Sequence, residues 1–415
     1  MKSIIAILLA IVITTSGTGA YITEDNLSNY LSPDYNTVST FILDNITLFA
    51  DEYNKQLVDG EERFEATSCE FSAPVLVETY NQEGIYLDFN GNNGYMIVVD
   101  NYTVIDFQTK GDLDYLKESD YLYYSIYDGF LYIDTDGNYV PYYYKEMTEE
   151  DWGEYQKVSL ESYAGQTSGN DGEIYNPTNF VKSKYGKGYE IYKQVSLPNY
   201  TYVSQYDLSI YYETKGNSTY SEGNCSLASI YSLMNYLKTQ KKYNRLPSSS
   251  STTSYDAKND SFYEKYNKKT NYNIDNPKTL PKLYLSIRNY AVNNYGYEVS
   301  GTNPFNIATI IERVGLQYGC DIDANHILIW SYEKQVVNEI NAGYPTIWNM
   351  ANSSTYGSHT TVVTGYKTYR KTTKILGINC YSYVNLLQLN DNWNKSARYF
   401  DFTDYNAFGS FVKVR

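Results

Sequence analysis

The sequence predicts an α+β fold in two parts: a small α+β domain, then a larger domain in which helices precede an antiparallel sheet. In the first part, apolar residues at helical spacing over 33–57 give way to alternating segments at 84–107 and 121–143. Gly-Asn, Asp-Gly and Asp-Asn pairs interrupt these segments, which predicts a β-meander with tight hairpins. In the second part, the helical periodicity comes first and the strand periodicity afterwards.

Four regions follow one another along the 415 residues. Residues 1–20 have a lysine, an apolar run and a small-residue end, which predicts a signal peptide and a secreted protein. No later stretch is apolar enough to span a membrane, so no membrane association is expected after the signal is cut. We expect a first domain at 21–160, an exposed Gly/Ser/Asn-rich linker at 161–189 and a second domain at 190–415.

Within the second domain, the periodicity predicts four helices, a polar loop and then five strands. The helices are expected at 225–240, 279–295, 304–316 and 332–341, the loop at 246–261, and the strands at 345–350, 359–369, 381–390, 398–402 and 410–414.

Charge is divided unevenly between the two parts. Residues 21–160 hold 28 acidic and 6 basic side chains, a net charge of −22, whereas residues 161–415 hold 20 and 26, a net charge of +6. Opposite charges favour attraction between the two parts, and the basic excess is too diffuse to indicate nucleic-acid binding. The chain has 4 cysteines, so disulfides are not the main stabiliser. Cys320 and Cys380 could pair, but their spacing alone does not show it.

The stretch "SEGNCSLASIYSLMNYL" places Cys225 where a helix is predicted to begin. Apolar residues downstream recur at spacings of three and four, and Asn224 is a suitable N-cap. A helix N-terminus favours an anion and lowers the pKa of a thiol, so Cys225 is a candidate nucleophile. A small buried structural cysteine is the alternative that this stretch leaves open.

A thiolate nucleophile needs a base, and the chain has only 2 histidines. His359 opens a β-branched strand after a Gly-Ser turn, where it can face a cleft; His326 is expected in a loop or partly buried and outside the site. In "LQLNDNW", Asp391 would accept from the imidazole and Trp393 would shield that bond from water. An ordinary Asn/Asp-rich turn is the alternative for this segment.

Together, "GNCSLASIYSLMNYL", "EINAGYPTIWNM", "YGSHTTVVTGY" and "LNDNW" resemble a papain-like cysteine peptidase over roughly residues 190–415. They are most similar to the secreted streptopain-type branch and its relatives with the bacteriocin-processing-peptidase fold. The resemblance implies a papain-like catalytic domain with a Cys225–His359–Asp391 triad backed by Trp393. Asn390 and Asn392 are the alternative orienters of the imidazole. In the first domain, "GYMIVVDNYTVIDF" resembles a strand pair of streptopain-type propeptides, which cover the active site until they are cut away.

The sequence departs from the family pattern at two places. The family usually has a Gln about six residues before the Cys, and that position is Thr219 here. Asn217 is the expected oxyanion donor in its place, and Gln205 lies further upstream. Ser226 and Leu227 replace the small residues that often follow the nucleophile.

These observations predict a secreted cysteine endopeptidase made as a zymogen, which forms a thioester acyl-enzyme. A protein or peptide is the expected substrate, and the chain's own N-terminal domain is the expected inhibitor. No metal or cofactor is implied. Two alternatives are a cell-wall amidase or endopeptidase of the NlpC or CHAP type, and a catalytically inactive papain-like binding protein.

Overall fold

The computed structural model describes part of the first 173 residues and most of the rest. Described are residues 46–57, 63–66, 69–89, 94–99, 103–108, 116, 121–134, 137–141 and 174–415, apart from 49, 216–217, 242, 262, 270, 296, 298–301, 329–330, 354, 376–377 and 403–408. The predicted signal peptide, the start of the first predicted helix and most of the predicted linker lie outside these residues.

The chain divides into two compact units that do not follow the chain continuously. The first comprises Met1–Tyr142, Val181–Tyr192 and Tyr369–Val384, and the second Tyr143–Phe180, Lys193–Thr368 and Asn385–Arg415. The domain boundaries expected from composition stay predictions.

In the first unit, residues 46–48 and 50–54 are helical and seven strands follow. The strands are β1 Cys69–Val77, β2 Gln82–Phe89, β3 Gly94–Val99, β4 Thr103–Gln108, β5 Leu122–Ser125, β6 Gly129–Ile133 and β7 Tyr139–Pro141. The hairpins β2–β3–β4 and β5–β6–β7 are antiparallel, which confirms the predicted meander. Prediction missed β1, which pairs in parallel with β5 and thereby joins the two hairpin sets.

The core of the first unit is aromatic, with Phe64, Phe89 and Phe107 packed against one another. Ile375 and Cys380, from the part of the unit that is distant in sequence, complete this core. Asn379 and Cys380 also pair in parallel with the start of β4. The N-terminal strands therefore complete their core with residues from the C-terminal half of the chain.

The second unit and its borders hold the remaining elements. The helices are α1 Pro177–Lys184, α2 Gln205–Leu208, α3 Cys225–Gln240, α4 Tyr263–Asn267, α5 Lys282–Tyr295, α6 Ile307–Gln317 and, after a π-helical turn at Glu333–Val337, α7 Asn338–Asn341. The strands are β8 Tyr189–Ser196, β9 Tyr211–Lys215, β10 Ser218–Ser221, β11 Thr252–Tyr255, β12 Tyr272–Ile274, β13 Lys278–Pro281, β14 Ala324–Ile327, β15 Thr346–Ser353, β16 Gly357–Ile375, β17 Ile378–Asn390, β18 Arg398–Asp401 and β19 Gly409–Val414.

The five predicted strands follow the predicted helices, as expected. Prediction missed two other strands of the same sheet: β8 lies before the four predicted helices, and β14 lies between the third and the fourth. The main sheet runs β14-β19-β15-β16-β17, with β18 paired to β17 and β8 to β16. Helices α3, α5 and α6 share one apolar core with β14, β15 and β19. Two small sheets, β10-β9-β12 and β11-β13, lie outside this main sheet. None of the described helices is long and apolar enough to cross a membrane.

Two segments expected to be irregular contain regular structure. The predicted linker includes α1, and the predicted loop at 246–261 contains β11 and a 3₁₀ turn at Ala257–Asn259. Composition gave no sign of β11 because its partner strand β13 lies more than twenty residues downstream. Near the end of this loop, the Asp260 carboxylate accepts from the Tyr211 hydroxyl and pairs with Arg288.

The glycine of "VVTGY" has a packing reason. A Cβ atom on Gly365 would lie 2.5 Å from the main-chain oxygen of Val195 and 3.0 Å from the Cα of Ser196. Only a residue without a side chain lets β8 approach β16 this closely. The end of β8 continues this contact, because the Leu197 N–H donates to the Thr364 carbonyl over 2.8 Å.

Candidate active site

Cys225 is the first residue of α3, as the sequence predicted. The helix is surrounded by protein, since residues 225–237 are all buried, and Leu227, Ile230, Met234 and Leu237 lie in the core. Cys225 is 4% exposed. The nucleophile candidate therefore sits at the end of the most deeply packed helix of the unit, where it has little freedom to move.

Asn224 occupies the N-cap position, but its side chain does not cap the helix as expected. Its Nδ2 donates instead to the Gln205 carbonyl over 3.1 Å and to the Tyr284 hydroxyl over 3.0 Å. The first-turn N–H groups of α3 are therefore left to other acceptors, such as a thiolate or a substrate oxygen.

His359 lies near the start of β16, opposite Met350 of β15, and is 3% exposed. Its Nε2 is 2.7 Å from the main-chain oxygen of Asp391. A carbonyl oxygen can only accept, so Nε2 carries the hydrogen. Nδ1 has no partner of ordinary hydrogen-bond geometry among the described residues. It is therefore the ring nitrogen left to exchange a proton with the thiol.

The electrostatics of Cys225 and His359 favour a thiolate–imidazolium pair. Burial raises the pKa of the Cys225 thiol, but the imidazole charge, the Thr360 N–H and the Ser226 hydroxyl oppose it, and the pKa lies below its ordinary value. Burial lowers the pKa of His359, but the thiolate and Asp391 oppose it, and the pKa lies above its ordinary value. Each group thus shifts the pKa of the other toward the charged state.

Asp391 meets the imidazole through a different atom from the one expected. Its carboxylate does not accept from His359 but closes the turn that follows. Oδ1 accepts the N–H groups of Trp393 and Asn394 over 3.0 and 2.9 Å, and Oδ2 accepts the Asn394 side-chain amide over 2.9 Å. This is the local hydrogen bonding typical of Asp in turns. The side chain builds the turn, and the turn presents the carbonyl to Nε2.

The two alternative orienters make their hydrogen bonds elsewhere. Asn392 has a positive φ of 62°, and its Nδ2 donates to the Ser229 hydroxyl over 2.7 Å, the Thr360 carbonyl over 2.8 Å and the Cys225 carbonyl over 3.2 Å. Asn390 donates to the Ser232 hydroxyl over 3.1 Å. Asn392 therefore ties the start of α3 to the strand that carries His359.

Two aromatic rings lie against the imidazole. Trp393 is 5% exposed, and its ring centroid is 4.7 Å from that of His359. Tyr356 lies 5.9 Å away with its ring tilted by only 7°. Sequence reasoning missed Tyr356, because one tyrosine among 51 carries no distinguishing signal.

Comparison with known proteins identifies one family that matches this part of the chain. Residues 197–408 match the model of the peptidase C39-like family. The chain belongs to the peptidase C39-like family. The match covers α3, β16 and the turn after β17, and it establishes a cysteine-peptidase-like domain with the predicted α+β, papain-like class of fold. The match does not distinguish the streptopain-type branch. No curated protein matches the chain.

Gln205 of the peptidase C39-like domain contacts both Asn224, the residue before Cys225, and Asn392 in the turn after β17. Sequence spacing did not reveal this position. Gln205 is 1% exposed; its N–H donates to the Asn392 carbonyl over 2.6 Å, and its own carbonyl accepts from Asn224. The hairpin β9–β10 is inserted between Gln205 and Cys225. Gln205 therefore lies twenty residues before the cysteine along the chain, although it contacts the neighbouring Asn224. Asn217, the donor expected from spacing, lies outside the described residues.

Only one end of the Gln205 side-chain amide has a hydrogen-bond partner among the described residues. Nε2 is 2.6 Å from the Ser221 hydroxyl, whereas Oε1 is buried with no partner among the described residues. The two ends of an amide are assigned by their hydrogen bonds, and a serine hydroxyl can donate as well as accept. In the flipped orientation, Ser221 donates to Oε1 and the buried Nε2–H group is available to a ligand.

A buried ion-pair cluster precedes the nucleophile in the peptidase C39-like domain. Arg288 on α5, fully buried, lies 3.4 Å from Glu222 and 3.2 Å from Asp260. Glu222 also accepts the Tyr297 hydroxyl over 3.1 Å and the Ile210 N–H over 2.7 Å. Buried charges persist only when they are paired and hydrogen-bonded in this way. The cluster fixes the main chain three residues before Cys225.

The remaining histidine and cysteines have separate surroundings. His326 on β14 is 2.9 Å from the Ser410 hydroxyl and packs on Phe305, and burial lowers its pKa. The three cysteines whose side chains the structure describes, Cys225, Cys320 and Cys380, are all free, so the possible pairing of Cys320 with Cys380 is absent. Burial raises the pKa of the Cys380 thiol to about 12, in contrast to Cys225. Among the described side chains, no group of three or more His, Cys, Asp and Glu could hold a metal ion.

The Asp391 geometry predicts an unusual mutational pattern. Asp391→Asn should keep kcat for peptide hydrolysis within about tenfold of wild type, because Oδ1 can still close the turn and the Asn394 amide can reverse. Asp391→Ala should lower kcat further, because the variant has no side-chain oxygen to close the turn. The alkaline limb of kcat/KM should move to lower pH in Asp391→Asn, because the Asp391 charge helps to raise the pKa of His359.

Steady-state kinetics across pH would check this. When a carboxylate orients the imidazole, replacing it by the amide costs about four orders of magnitude in kcat. A loss of that size in Asp391→Asn would contradict the role assigned to the carbonyl.

Proposed function

We propose that the chain is a secreted cysteine endopeptidase, made as a zymogen, that hydrolyses peptide bonds with Cys225 as nucleophile and His359 as acid and base. One observation carries this proposal: a buried thiol of lowered pKa at a helix N-terminus, beside an imidazole of raised pKa whose Nε2–H is held by the Asp391 carbonyl. The similarity of its motifs to streptopain-type peptidases supports an endopeptidase over a cell-wall amidase.

The proposed reaction uses the Cys225 thiolate and the His359 imidazolium. The Cys225 thiolate attacks the peptide carbonyl, and the developing oxyanion is stabilised by the Cys225 N–H at the start of α3. The Nδ1–H of imidazolium His359 gives its proton to the leaving amine, and the C–N bond breaks to leave a thioester. The neutral Nδ1 then takes one proton from a water molecule, and the water oxygen attacks the thioester carbonyl. The C–S bond breaks and releases the carboxylic acid product, which restores the Cys225 thiolate beside imidazolium His359.

Gln205 is the side chain best suited to be the second oxyanion donor. It is buried, it contacts both Asn224 and the Asn392 carbonyl, and its amide has one end without a partner among the described residues. A fixed donor of this kind needs no reorganisation when the oxyanion forms. Asn217 stays a candidate from the sequence alone.

A nucleophile and a base that act as a unit predict a strongly non-additive mutational pattern. Cys225→Ala and His359→Ala should each lower kcat on casein by at least about a thousandfold, and the double variant should be no worse than either one. His326→Ala, the matched control, should change kcat little, because His326 contacts Phe305 and Ser410. Hydrolysis that survives Cys225→Ala, or a larger loss from His326→Ala than from His359→Ala, would contradict the assignment.

The zymogen proposal rests on charge and chain order. Residues 21–160 are strongly acidic and residues 161–415 mildly basic, which favours a self-inhibiting association that salt weakens. We expect the activating cut within the linker predicted from composition at 161–189, outside the regular elements α1 and β8 at 177–184 and 189–196. Because Ile375 and Cys380 complete the core of the first unit, inhibition is best tested in the full chain.

Activation should therefore coincide with cleavage. Full-length enzyme incubated alone should gain activity only as a cut appears within the predicted linker at 161–189, and high salt should shorten the lag. Cys225→Ala should stay intact until wild-type enzyme is added. Intact-mass spectrometry and peptide hydrolysis, sampled together, would check this. An uncut chain as active as the cut form would contradict the zymogen.

A further inference from the structure

The ring of Tyr356 is stacked parallel to the imidazole of His359. It belongs to the short turn between β15 and β16, where its N–H donates to the Ser353 hydroxyl over 3.2 Å. The two ring centroids are 5.9 Å apart, and the ring planes differ by 7°. Tyr356 is 3% exposed, so little water reaches this side of the imidazole.

Two further rings hold Tyr356 in place. Its centroid is 5.1 Å from that of Trp393 and 6.1 Å from that of Phe400. Trp393 is itself 4.7 Å from the imidazole, so Tyr356, Trp393 and His359 are in mutual contact. Three rings packed in this way restrict one another's rotation, and the imidazole plane is therefore fixed relative to Tyr356.

An aromatic face next to a buried imidazole has an electrostatic consequence. Burial on its own disfavours the imidazolium form. The face of an aromatic ring carries partial negative charge and attracts a cation within about 6 Å of its centroid. The size of this attraction corresponds to about half a pKa unit or more for the imidazolium.

We propose that Tyr356 is a positioning residue of the site, whose ring fixes the imidazole plane and stabilises the imidazolium form of His359. The ring, not the hydroxyl, carries this role. Tyr356 thereby helps to keep the resting proton on the imidazole and the negative charge on the Cys225 sulfur. Only its kinetic consequence rests on the proposed peptidase function.

Few titratable groups face the imidazole from the elements around it. Among the described residues these are the Cys225 thiol on α3, the Asp391 carboxylate in the turn after β17 and the Tyr356 phenol itself. Trp393 and Phe400 contribute rings without charge. A change at Tyr356 can therefore be separated from the two known influences on His359.

The presence of only 2 histidines makes the test direct. The full chain would be labelled with isotopic histidine, the two imidazole signals assigned with His326→Gln, and both titrated by NMR. Tyr356→Leu should lower the pKa of His359 by about half a unit or more. Tyr356→Phe should leave it within about 0.2 units, because the ring is retained. His326 is the internal reference and should not shift.

A second variant separates electrostatics from packing. Pentafluorophenylalanine in place of Tyr356 keeps the ring but reverses its charge distribution, so the pKa of His359 should fall without a cavity being created. The shift should persist in a Cys225→Ala background, since the ring acts on the imidazole directly. An unchanged His359 pKa in a folded Tyr356→Leu or pentafluorophenylalanine protein would overturn the proposal. A Tyr356→Phe shift as large as that of Tyr356→Leu would assign the effect to the hydroxyl instead.

Kinetics provide the readout that depends on function. In Tyr356→Leu, the alkaline limb of kcat/KM should move to lower pH by the same amount as the NMR pKa. If the NMR shift appears in a protein without hydrolytic activity, the role of Tyr356 stands and the proposed function fails. If hydrolysis occurs but neither the NMR pKa nor the alkaline limb of kcat/KM shifts, the proposed function stands and the role of Tyr356 fails.

Discussion

The hydrogen bond from His359 Nε2 to the Asp391 carbonyl sets the chemistry of the site. Because a carbonyl can only accept, this bond fixes the tautomer and leaves Nδ1 for the thiol. It also gives the turn after β17 a purpose: the Asp391 carboxylate closes the turn so that the carbonyl points at the imidazole. A residue that would be assigned a role through its side chain acts here through its main chain.

The rest of the unit holds the two reacting groups at a fixed separation. Asn392 bonds the first turn of α3 to the strand of His359, and Glu222 anchors the approach to Cys225 on buried Arg288. Burial opposes the charged form of both groups, so the pair is favoured only because each charge lies beside the other. Rigid placement is therefore a condition for the ionised state and not only for geometry.

Regular periodicity made much of this arrangement predictable. The helix of Cys225 and the strand of His359 both follow from local patterns, and the family motif joins them. Gln205 was not predictable from spacing, because the β9–β10 hairpin separates it from the cysteine. The role of the Asp391 carbonyl was not predictable either, because the local pattern does not show that the carboxylate is used within an Asx turn. Strand β11 forms by pairing with β13, which is distant in sequence, and the stacking of Tyr356 on His359 arises from tertiary packing. Neither interaction produces a local sequence pattern.

The central claim is that Cys225 exists as a thiolate because His359 is protonated beside it. The rate of alkylation by iodoacetamide, followed for each cysteine by peptide mass spectrometry near pH 6, tests this directly. Cys225 should react far faster than Cys320 and Cys380, and His359→Ala should slow it by about tenfold or more. Equal rates for Cys225 and Cys320, or a Cys225 rate that is unchanged in His359→Ala, would contradict the ion pair.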